Sequence, residues 1–275
     1  GLTNNTTRGI NMDLQLQGRV AIVTGGGMGI GKEVARFLSQ EGCKVVICAR
    51  RMSYLEEAAA EISAETGNEV LPLFCDTNQM EAVSAMVEQA RERFGRIDIL
   101  VNGAAAPSGV VRNDIEHAGD DELLSDLNTK VIGYFRCAKA VTPHMKAGGF
   151  GRIINIGGLT GRGSKVLSGM RNLAIAHMTK TLSDQLGPDG ITVNLIHPGV
   201  VDTPHIQELY EREGVKQGKT PQQVEQGYID ATPIRRTLQP MEMGWLIGFL
   251  ASPKAGAITG ESIGIDGGLT RGIFI

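Results

Sequence analysis

The sequence predicts an α/β fold in which a parallel sheet of about seven strands is doubly wound, with helices on both of its faces. Short runs rich in Val and Ile alternate with longer amphipathic segments along the whole chain. The short runs are almost continuously apolar, which is typical of strands buried on both faces. Glycine, at 37 residues, clusters at the ends of these runs, where tight strand-to-helix turns are expected.

Each predicted strand is followed by a predicted helix. The first strand, 19–25, ends in glycines, and residues 31–42 after it have apolar side chains at helical spacing and a terminating Gly42. The later strand-and-helix pairs are 44–49 and 53–66, 69–76 and 80–95, 97–102 and about 122–147, 151–157 and 168–187, then 191–199 with a helix near 241–251, and a last strand near 262–266.

The alternation continues without a charged linker or a short repeat, so we predict a single domain over residues 13–275. Residues 1–12 are polar and lack an apolar signal region, which predicts a flexible tail. Residues 203–237 are rich in Gln, Glu, Lys and Tyr and follow a strand end where open α/β sheets bind ligands. We interpret them as a mobile lid.

Composition narrows the possible partners. The 27 basic and 30 acidic residues are interspersed and give a net charge of -3, so there is no basic field for nucleic acid or an anionic membrane. No run approaches the about 18 apolar residues of a spanning helix. The four cysteines show no CxxC pair and the five histidines no ligand spacing, so we expect free thiols, no metal site, a cytoplasmic protein and a small-molecule substrate.

A glycine-rich loop lies between the first predicted strand and the first predicted helix. The loop reads TGGGMGIG over Thr24–Gly31. Its glycines let the backbone approach a pyrophosphate, and the helix N-terminus that follows favours negative charge. The placement predicts a single-domain Rossmann fold that binds a dinucleotide, with loop contacts from Gly25, Gly27, Met28, Gly29 and Ile30.

Four further stretches, together with this loop, resemble the short-chain dehydrogenase/reductase family over nearly the whole chain. They are CDTN at 75–78, VNGAA at 101–105, HPGVVDT at 197–203 and ITGESIGIDGG at 258–268. The resemblance implies adenine contacts at the first stretch and nicotinamide contacts at the third. The cofactor-binding residues it implies are Asp76, Thr77, Asn102, Gly103, Ala104, Pro198, Gly199 and Thr203.

The end of the second predicted strand indicates which dinucleotide is bound. An acidic residue there would accept a hydrogen bond from the ribose 2′-hydroxyl, whereas an Arg would bind a 2′-phosphate. The sequence has Ala49 at this point, followed by Arg50 and Arg51. A guanidinium matches phosphate geometry, so we predict NADP(H) rather than NAD(H).

The catalytic residues of the family do not recur in this chain. Family enzymes use a Tyr that passes a proton to the carbonyl oxygen, a Lys four residues later, a Ser and an Asn. The resemblance places Ser168 at the Tyr position, Asn172 at the Lys position and Gly157 or Gly158 at the Ser position, in a loop about three residues short. Lys130 falls at the Asn position, or Asn128 if the helix register slips.

Other groups are candidates for the missing chemistry. Lys130 could polarise a carbonyl or donate a proton once burial lowers its pKa, and Ser168 and Asn172 could hydrogen-bond a substrate oxygen. Arg162 and Lys165 could bind a substrate carboxylate or phosphate. Tyr210 and Tyr228 could bring a phenol over the nicotinamide. The alternative for each is a solvent-exposed or purely structural side chain.

We therefore predict an NADP(H)-dependent oxidoreductase that acts on a small carbonyl or alcohol substrate with a non-standard active site. Two alternatives stay open at this point. One is a non-redox lyase, hydratase or aldol-type enzyme on the same fold. The other is a nucleotide-binding sensor or non-catalytic subunit paired with a catalytically intact family member. The resemblance also implies a homodimer or homotetramer.

Overall fold

The sheet has seven parallel strands, as the sequence predicted. The computed structural model describes residues 12–105, 111–163 and 166–273, so most of the predicted tail and Lys165 lie outside the described residues. The strand order is β3-β2-β1-β4-β5-β6-β7. The strands are β1 Val20–Thr24, β2 Lys44–Ala49, β3 Val70–Phe74, β4 Ile99–Asn102, β5 Gly151–Ile156, β6 Ile191–Pro198 and β7 Ser262–Ile265.

The predicted helices lie between these strands. The helical region expected over 122–147 consists of two α-helices joined by a π-helical segment, Asn128–Ile132. A short 3₁₀ turn, Leu159–Arg162, follows β5. The helices are α1 Gly29–Gln40, α2 Met52–Thr66, α3 Met80–Phe94, α4 Asp120–Leu127, α5 Gly133–Gly148, α6 Gly169–Leu186, α7 Pro204–Gln217, α8 Pro221–Ala231 and α9 Pro240–Ala251.

Both faces of the sheet are buried, which explains why the strands are continuously apolar. Along β1, Ala21 and Val23 pack in one core cluster with residues of α1, α2 and α9. Val20 and Ile22 point to the other face and pack with residues of α3 and α5. The right-handed crossovers of a parallel sheet require such helical layers on both sides.

The order of the strands creates a switch point beside β1. Strand β1 pairs with β2 on one side and with β4 on the other. Thr24 is in register with Asn102, so the loops that follow β1 and β4 leave the same edge of the sheet in opposite directions. Open α/β sheets bind their ligands in the crevice at this point.

The segment predicted as a lid contains helices α7 and α8. Thr203 caps α7 by accepting a hydrogen bond from the Ile206 backbone N–H. Thr220 and Gln223 form a capping box at the start of α8. The segment is therefore two capped helices beside the crevice, and its mobility stays a prediction.

Candidate active site

The glycine-rich loop is shaped by contacts that exclude side chains. Gly25 has a φ of 70° and Gly29 a φ of 55°, both in the left-handed region. A Cβ on Gly31 would come within 2.2 Å of the Gly25 carbonyl oxygen. A Cβ on Gly25 would in turn lie 2.9 Å from the Gly103 carbonyl oxygen. Only glycine fits at both positions, so the turn stays tight against the N-terminus of α1.

A cavity of about 360 Å³ opens between this loop and the segment after β6. Gly27, Met28 and Gly29 line one side, and Thr203 lines the other. The N-terminus of α1 faces the same space, where unpaired backbone N–H groups favour an anion. Ile30 is the second residue of α1 and packs against the core. Gly27, Met28 and Gly29 thus line one concave surface that suits a pyrophosphate, whereas Ile30 packs inward.

Arg50 and Arg51 lie at the end of β2 beside the loop, and both are exposed. The Arg51 guanidinium stacks over the Tyr54 ring at 4.4 Å and approaches the Met28 sulfur at 4.0 Å. Within the described residues neither arginine pairs with a carboxylate. Two cations without an internal counter-charge fit a 2′-phosphate, which would neutralise them.

The residues expected near the adenine follow β3. Asp76 is half-buried, and its Oδ1 accepts a hydrogen bond from the Asn78 backbone N–H at 3.0 Å. Thr77 is buried, and its carbonyl oxygen accepts a hydrogen bond from Arg136. This turn holds the backbone after β3 at the ligand edge of the sheet.

The residues after β4 mostly use their polar groups inside the protein. The Asn102 side chain is fully buried and donates to Asn155 Oδ1 at 2.9 Å, so its amide faces β5 rather than the crevice. The backbone N–H groups of Gly103 and Ala104 both donate to Thr24 Oγ1. Gly103 and Ala104 therefore shape the crevice through their backbone, and cofactor binding by Asn102, Gly103 and Ala104 stays a prediction.

The residues predicted near the nicotinamide lie at the end of β6. Pro198 is the last residue of that strand, and the Gly199 backbone N–H donates to the Ile265 carbonyl oxygen at 2.9 Å. A Cβ on Gly199 would lie 2.7 Å from Asp266 Cα, so the backbone just after β7 leaves no room for a side chain there. Thr203 begins α7 opposite the glycine-rich loop. All three residues line the same edge as the crevice.

Lys130 and Asn172 lie side by side in the interior. Lys130 is in the π-helical segment and is 4% exposed, whereas Asn172 is in α6 and is 2% exposed. The Lys130 Nζ donates to Asn172 Oδ1 at 2.9 Å and to the Gly157 carbonyl oxygen at 3.1 Å. Lys130 is therefore not a solvated helix lysine. The structure also places Lys130, rather than Asn128, beside α6, because Asn128 hydrogen-bonds Asn78 and Arg136 instead.

The charges around Lys130 set its protonation. Burial, and after it the nearby Arg171 guanidinium, lower the pKa of Lys130 from 10.5 to about 7, while Asp126 opposes the change. Asp126 is 3% exposed and pairs with Arg171 at 2.5 Å. The carboxylate closest to the amine is thus already engaged by another cation. Neither Asp126 nor Arg171 was among the residues expected from the sequence, although Asp126 lies four residues before Lys130 on the same helical face.

The turn after β5 closes over Asn172. Asn172 Nδ2 donates to Thr160 Oγ1 at 2.8 Å. A Cβ on Gly158 would lie 3.0 Å from Asn172 Nδ2, and one on Gly161 would lie 2.8 Å from Asn172 Cβ. The glycines let the loop after β5 pack directly on α6. Thr160 was missed by sequence reasoning, and it also lines a cavity of about 280 Å³ beside Val166, Leu167, Met170 and Leu173.

Ser168 does not join the Lys130 and Asn172 pair. It immediately precedes α6, and its backbone N–H donates to Asn113 Oδ1 at 3.1 Å. Within the described residues its hydroxyl forms no hydrogen bond with Lys130 or Asn172. Ser168 thus lies one turn away from the polar pair.

The remaining candidates point elsewhere. Arg162 donates to the Ser262 carbonyl oxygen at 2.6 Å, so its guanidinium lies against β7. Tyr228 donates to Glu213 between α7 and α8, and Tyr210 is 1% exposed beside it with ring centroids 5.8 Å apart. The two phenols are packed within the predicted lid, where burial raises the pKa of each to about 12. Neither is presented to the crevice.

His197 supports the backbone of the site. It is 2% exposed, its Nδ1 is 2.9 Å from the Gly158 carbonyl oxygen and its Nε2 is 2.8 Å from Ser262 Oγ. Burial lowers the pKa of His197 to about 4, so the ring is neutral at pH 7. Among residues 12–105, 111–163 and 166–273, no group of three or more His, Cys, Asp or Glu side chains could hold a metal ion.

The fold and the glycine-rich crevice define a dinucleotide-binding α/β protein, and comparison with known proteins identifies its family. A family model described as enoyl-(acyl carrier protein) reductase matches residues 25–270. The short-chain reductase protein NovJ of Streptomyces niveus is 37% identical over 258 residues, which cover 92% of this chain and 94% of that protein. The chain belongs to the short-chain dehydrogenase/reductase family, as its motifs predicted.

Solved structures show the same architecture. The L-sorbose reductase of Gluconobacter frateurii, complexed with NADPH and L-sorbose, has a TM-score of 0.88 and 31% identity, covering 95% of this chain and 100% of that one. The actinorhodin polyketide ketoreductase with NADPH has a TM-score of 0.86 and 32% identity, covering 92% and 98%. In the part of the present chain that is described, no helix is long and apolar enough to cross a membrane.

Proposed function

We propose that this chain is an NADP(H)-dependent oxidoreductase that acts on a small carbonyl compound or the corresponding alcohol, with Lys130 as the proton donor. The observation that carries the proposal is the buried Lys130 amine, fixed by Asn172 and Gly157 at the ligand edge of the sheet. Buried ionisable groups with strongly shifted pKa values cluster at functional sites. Two structural relatives were solved with NADPH, which supports the cofactor.

The cofactor assignment also rests on residues of this chain. The glycines of the loop leave a cradle that a Cβ would fill, next to the N-terminus of α1. Arg50 and Arg51 would hold the 2′-phosphate, since no carboxylate among the described residues neutralises them. Gly27, Gly29 and Thr203 would border the pyrophosphate, because they line one cavity.

The cofactor, when bound, supplies or accepts the hydride. Lys130 in its ammonium form donates a hydrogen bond, and then a proton, to the carbonyl oxygen as negative charge develops there. Burial favours the neutral amine that remains, because the charged form is the one that loses solvation. A pKa near 7 places both forms of Lys130 within reach of neutral pH.

Asn172 and Gly157 position the amine. Both present an oxygen to Nζ, so two of its hydrogens have fixed directions and the third is left for a substrate. Asn172 is itself held by Thr160, whose hydroxyl accepts from its Nδ2. The neighbouring cavity beside Thr160 has Val166, Leu167, Met170 and Leu173 in its wall, which suits an apolar carbonyl compound.

The first experiment follows reduced-nicotinamide absorbance while NADPH-loaded protein, in excess, meets a panel of ketones, aldehydes and enones. Excess protein makes slow turnover visible. Consumption of NADPH supports the proposal. Persistence of bound NADPH with every compound contradicts it and favours the non-catalytic alternative. Conversion of a compound by protein from which the nucleotide has been removed favours the non-redox alternative.

A matched set of variants tests Lys130 directly. Lys130→Asn and Asn172→Lys each break the pair, and we expect each to lower turnover by about 10²–10⁴, the usual worth of a positioned proton donor. The double variant exchanges the two side chains and keeps their composition and volume. Because an ammonium from α6 would reach the same place, we expect it to regain at least about tenfold over either single variant. Equal turnover in Lys130→Asn and wild type contradicts the role of Lys130.

We also propose that the chain is a homodimer or homotetramer. Exposed apolar side chains on α5 and α6, namely Phe135, Met170 and Leu173, support a buried contact there. Their exposed fractions are 43%, 47% and 63%. Light scattering after size-exclusion chromatography tests this directly, and a monomer at micromolar concentration contradicts it.

A further inference from the structure

We propose that the ε-amine of Lys130 is also a nucleophile, which forms a reversible imine with carbonyl compounds that enter the site. This inference rests on the proposed binding of a carbonyl compound beside Lys130. It goes beyond reduction, because the imine requires no nucleotide.

The hydrogen bonds of Lys130 leave its lone pair uncommitted. A neutral amine has two N–H groups, and Lys130 Nζ faces two acceptors, Asn172 Oδ1 at 2.9 Å and the Gly157 carbonyl oxygen at 3.1 Å. Neither acceptor can donate to nitrogen. With both N–H groups engaged, the lone pair points away from them. Lys130 is 4% exposed, so a small carbonyl compound is the expected reactant.

The surrounding charges favour the amine over the ammonium. Asp126 on α4 is the carboxylate near Lys130, and Arg171 on α6 holds it in an ion pair. His197 on β6 is neutral at pH 7, since burial lowers its pKa to about 4. Tyr134 on α5 donates its hydroxyl to the Ile156 carbonyl oxygen, and burial raises its pKa, so it adds no negative charge. A lysine that is desolvated and close to another cation is the usual form of a nucleophilic lysine.

The step balances without an oxidant or reductant. The Nζ lone pair attacks the carbonyl carbon and forms a C–N bond, and one N–H proton moves to the former carbonyl oxygen. The hydroxyl then leaves with the second proton as water, and a C=N bond replaces the C=O bond. Hydrolysis reverses both steps and returns the free lysine.

The test uses the full chain without nucleotide, cyclohexanone as the carbonyl probe and cyanoborohydride to trap the imine as a secondary amine. Peptide mapping by mass spectrometry then locates the added cyclohexyl groups. At pH 7 the amine fraction of Lys130 is roughly a thousandfold that of an ordinary lysine. We therefore expect Lys130 to be labelled first, with a rate that rises as the pH passes about 7.

Two variants serve as controls. Lys130→Arg keeps the positive charge but cannot form an imine, so the fast label should disappear. Lys146→Arg changes an exposed lysine paired with Asp189 and should leave the fast label in place. If Lys130→Arg fails to fold, the wild-type peptide map still tests the inference, because it compares the labelling of Lys130 with that of the other lysines in the same protein.

The outcomes separate this inference from the proposed oxidoreductase activity. Labelling of Lys130 no faster than labelling of exposed lysines overturns the imine, and NADPH consumption in the separate assay would then still support reduction. Fast labelling of Lys130 without NADPH consumption supports the imine and removes the oxidoreductase proposal. Labelling that rises only near the pH of ordinary lysines also overturns the inference.

Discussion

Replacing Lys130 with Met should change how the stability of the protein depends on pH. The wild type buries a lysine whose pKa falls from 10.5 to about 7 on folding. The variant buries a thioether of similar length that does not titrate. We expect the free energy of unfolding of the wild type, measured relative to that of the variant, to increase by about 3 kcal/mol from about pH 6 to about pH 9.

The sign follows from proton binding. A lysine whose pKa is lower in the folded state binds fewer protons when folded, so stability rises with pH between the folded and unfolded pKa values. Below about pH 7, the burial of Lys130 destabilises the folded state by the full difference between its unfolded and folded pKa values, which is about 5 kcal/mol at about 1.4 kcal/mol per pKa unit. At about pH 9 the folded amine is neutral and the remaining cost is about 2 kcal/mol.

The change with pH is more informative than the stability at one pH. Lys130→Met also removes hydrogen bonds to Asn172 and Gly157, each worth about 1.5–3 kcal/mol with a charged donor. These losses offset part of the gain, so the net difference at about pH 6 is small. As the pH rises, the difference in free energy of unfolding changes in favour of the wild type, and this change comes from the titration of Lys130 alone.

Urea unfolding of both proteins at the two pH values, at one protein concentration, measures this change. Lys146→Met is the matched control, because Lys146 is 46% exposed in its pair with Asp189 and its stability difference should stay nearly constant. Parallel pH dependence of Lys130→Met and wild type would refute the reasoning, since it would show that the folded and unfolded states hold the Lys130 proton equally.

Three further predictions concern turnover. Reduction should slow as the pH rises through about 7, because the Lys130 ammonium is lost. Asp126→Asn should move the midpoint of this pH–rate profile to lower pH, because Asp126 raises the pKa of Lys130, and a flat profile contradicts both expectations. Arg50→Ser with Arg51→Ser should raise the KM for NADPH about 10–100-fold and leave that for NADH unchanged, and equal effects on both cofactors would count against 2′-phosphate binding. Tyr228→Phe should keep kcat within about twofold, because the Tyr228 hydroxyl donates to Glu213. A large loss of kcat would indicate that Tyr228 takes part in catalysis.

The fold could be predicted because its signals are local in the sequence. Strand β1, for example, is apolar from Val20 to Val23 and buried at every position, and glycines such as Gly25 and Gly31 mark a turn that admits no side chain. Helix bounds were predicted to within a few residues for the same reason. The π-helical segment Asn128–Ile132 was not predictable, because it arises from tertiary packing and has no periodicity of its own in five residues.

Site residues could be predicted from the sequence only where their position relative to a motif or a strand end identifies them. The resemblance placed Asn172 and Lys130, with Asn128 as the alternative to Lys130, at family catalytic positions. The hydrogen bond between Lys130 and Asn172 joins residues far apart in sequence, so no local pattern could predict it. The orientation of Arg162 toward β7 depends on the short loop after β5, which no pattern in the sequence specifies. Tyr210 and Tyr228 are packed by the pairing of α7 with α8, which is likewise a tertiary contact.

The cost of Lys130 is an argument about function. A buried lysine that pays about 5 kcal/mol below its folded pKa would be replaced easily by Met or Leu if it served only packing. Lys130 Nζ and Asn172 Oδ1 meet at 2.9 Å although they lie on different helical segments. This cost without a packing benefit is the argument that Lys130 serves the chemistry of the site. Local rules are broken at functional sites and compensated elsewhere, and a buried lysine held by an amide and a backbone carbonyl is such a break.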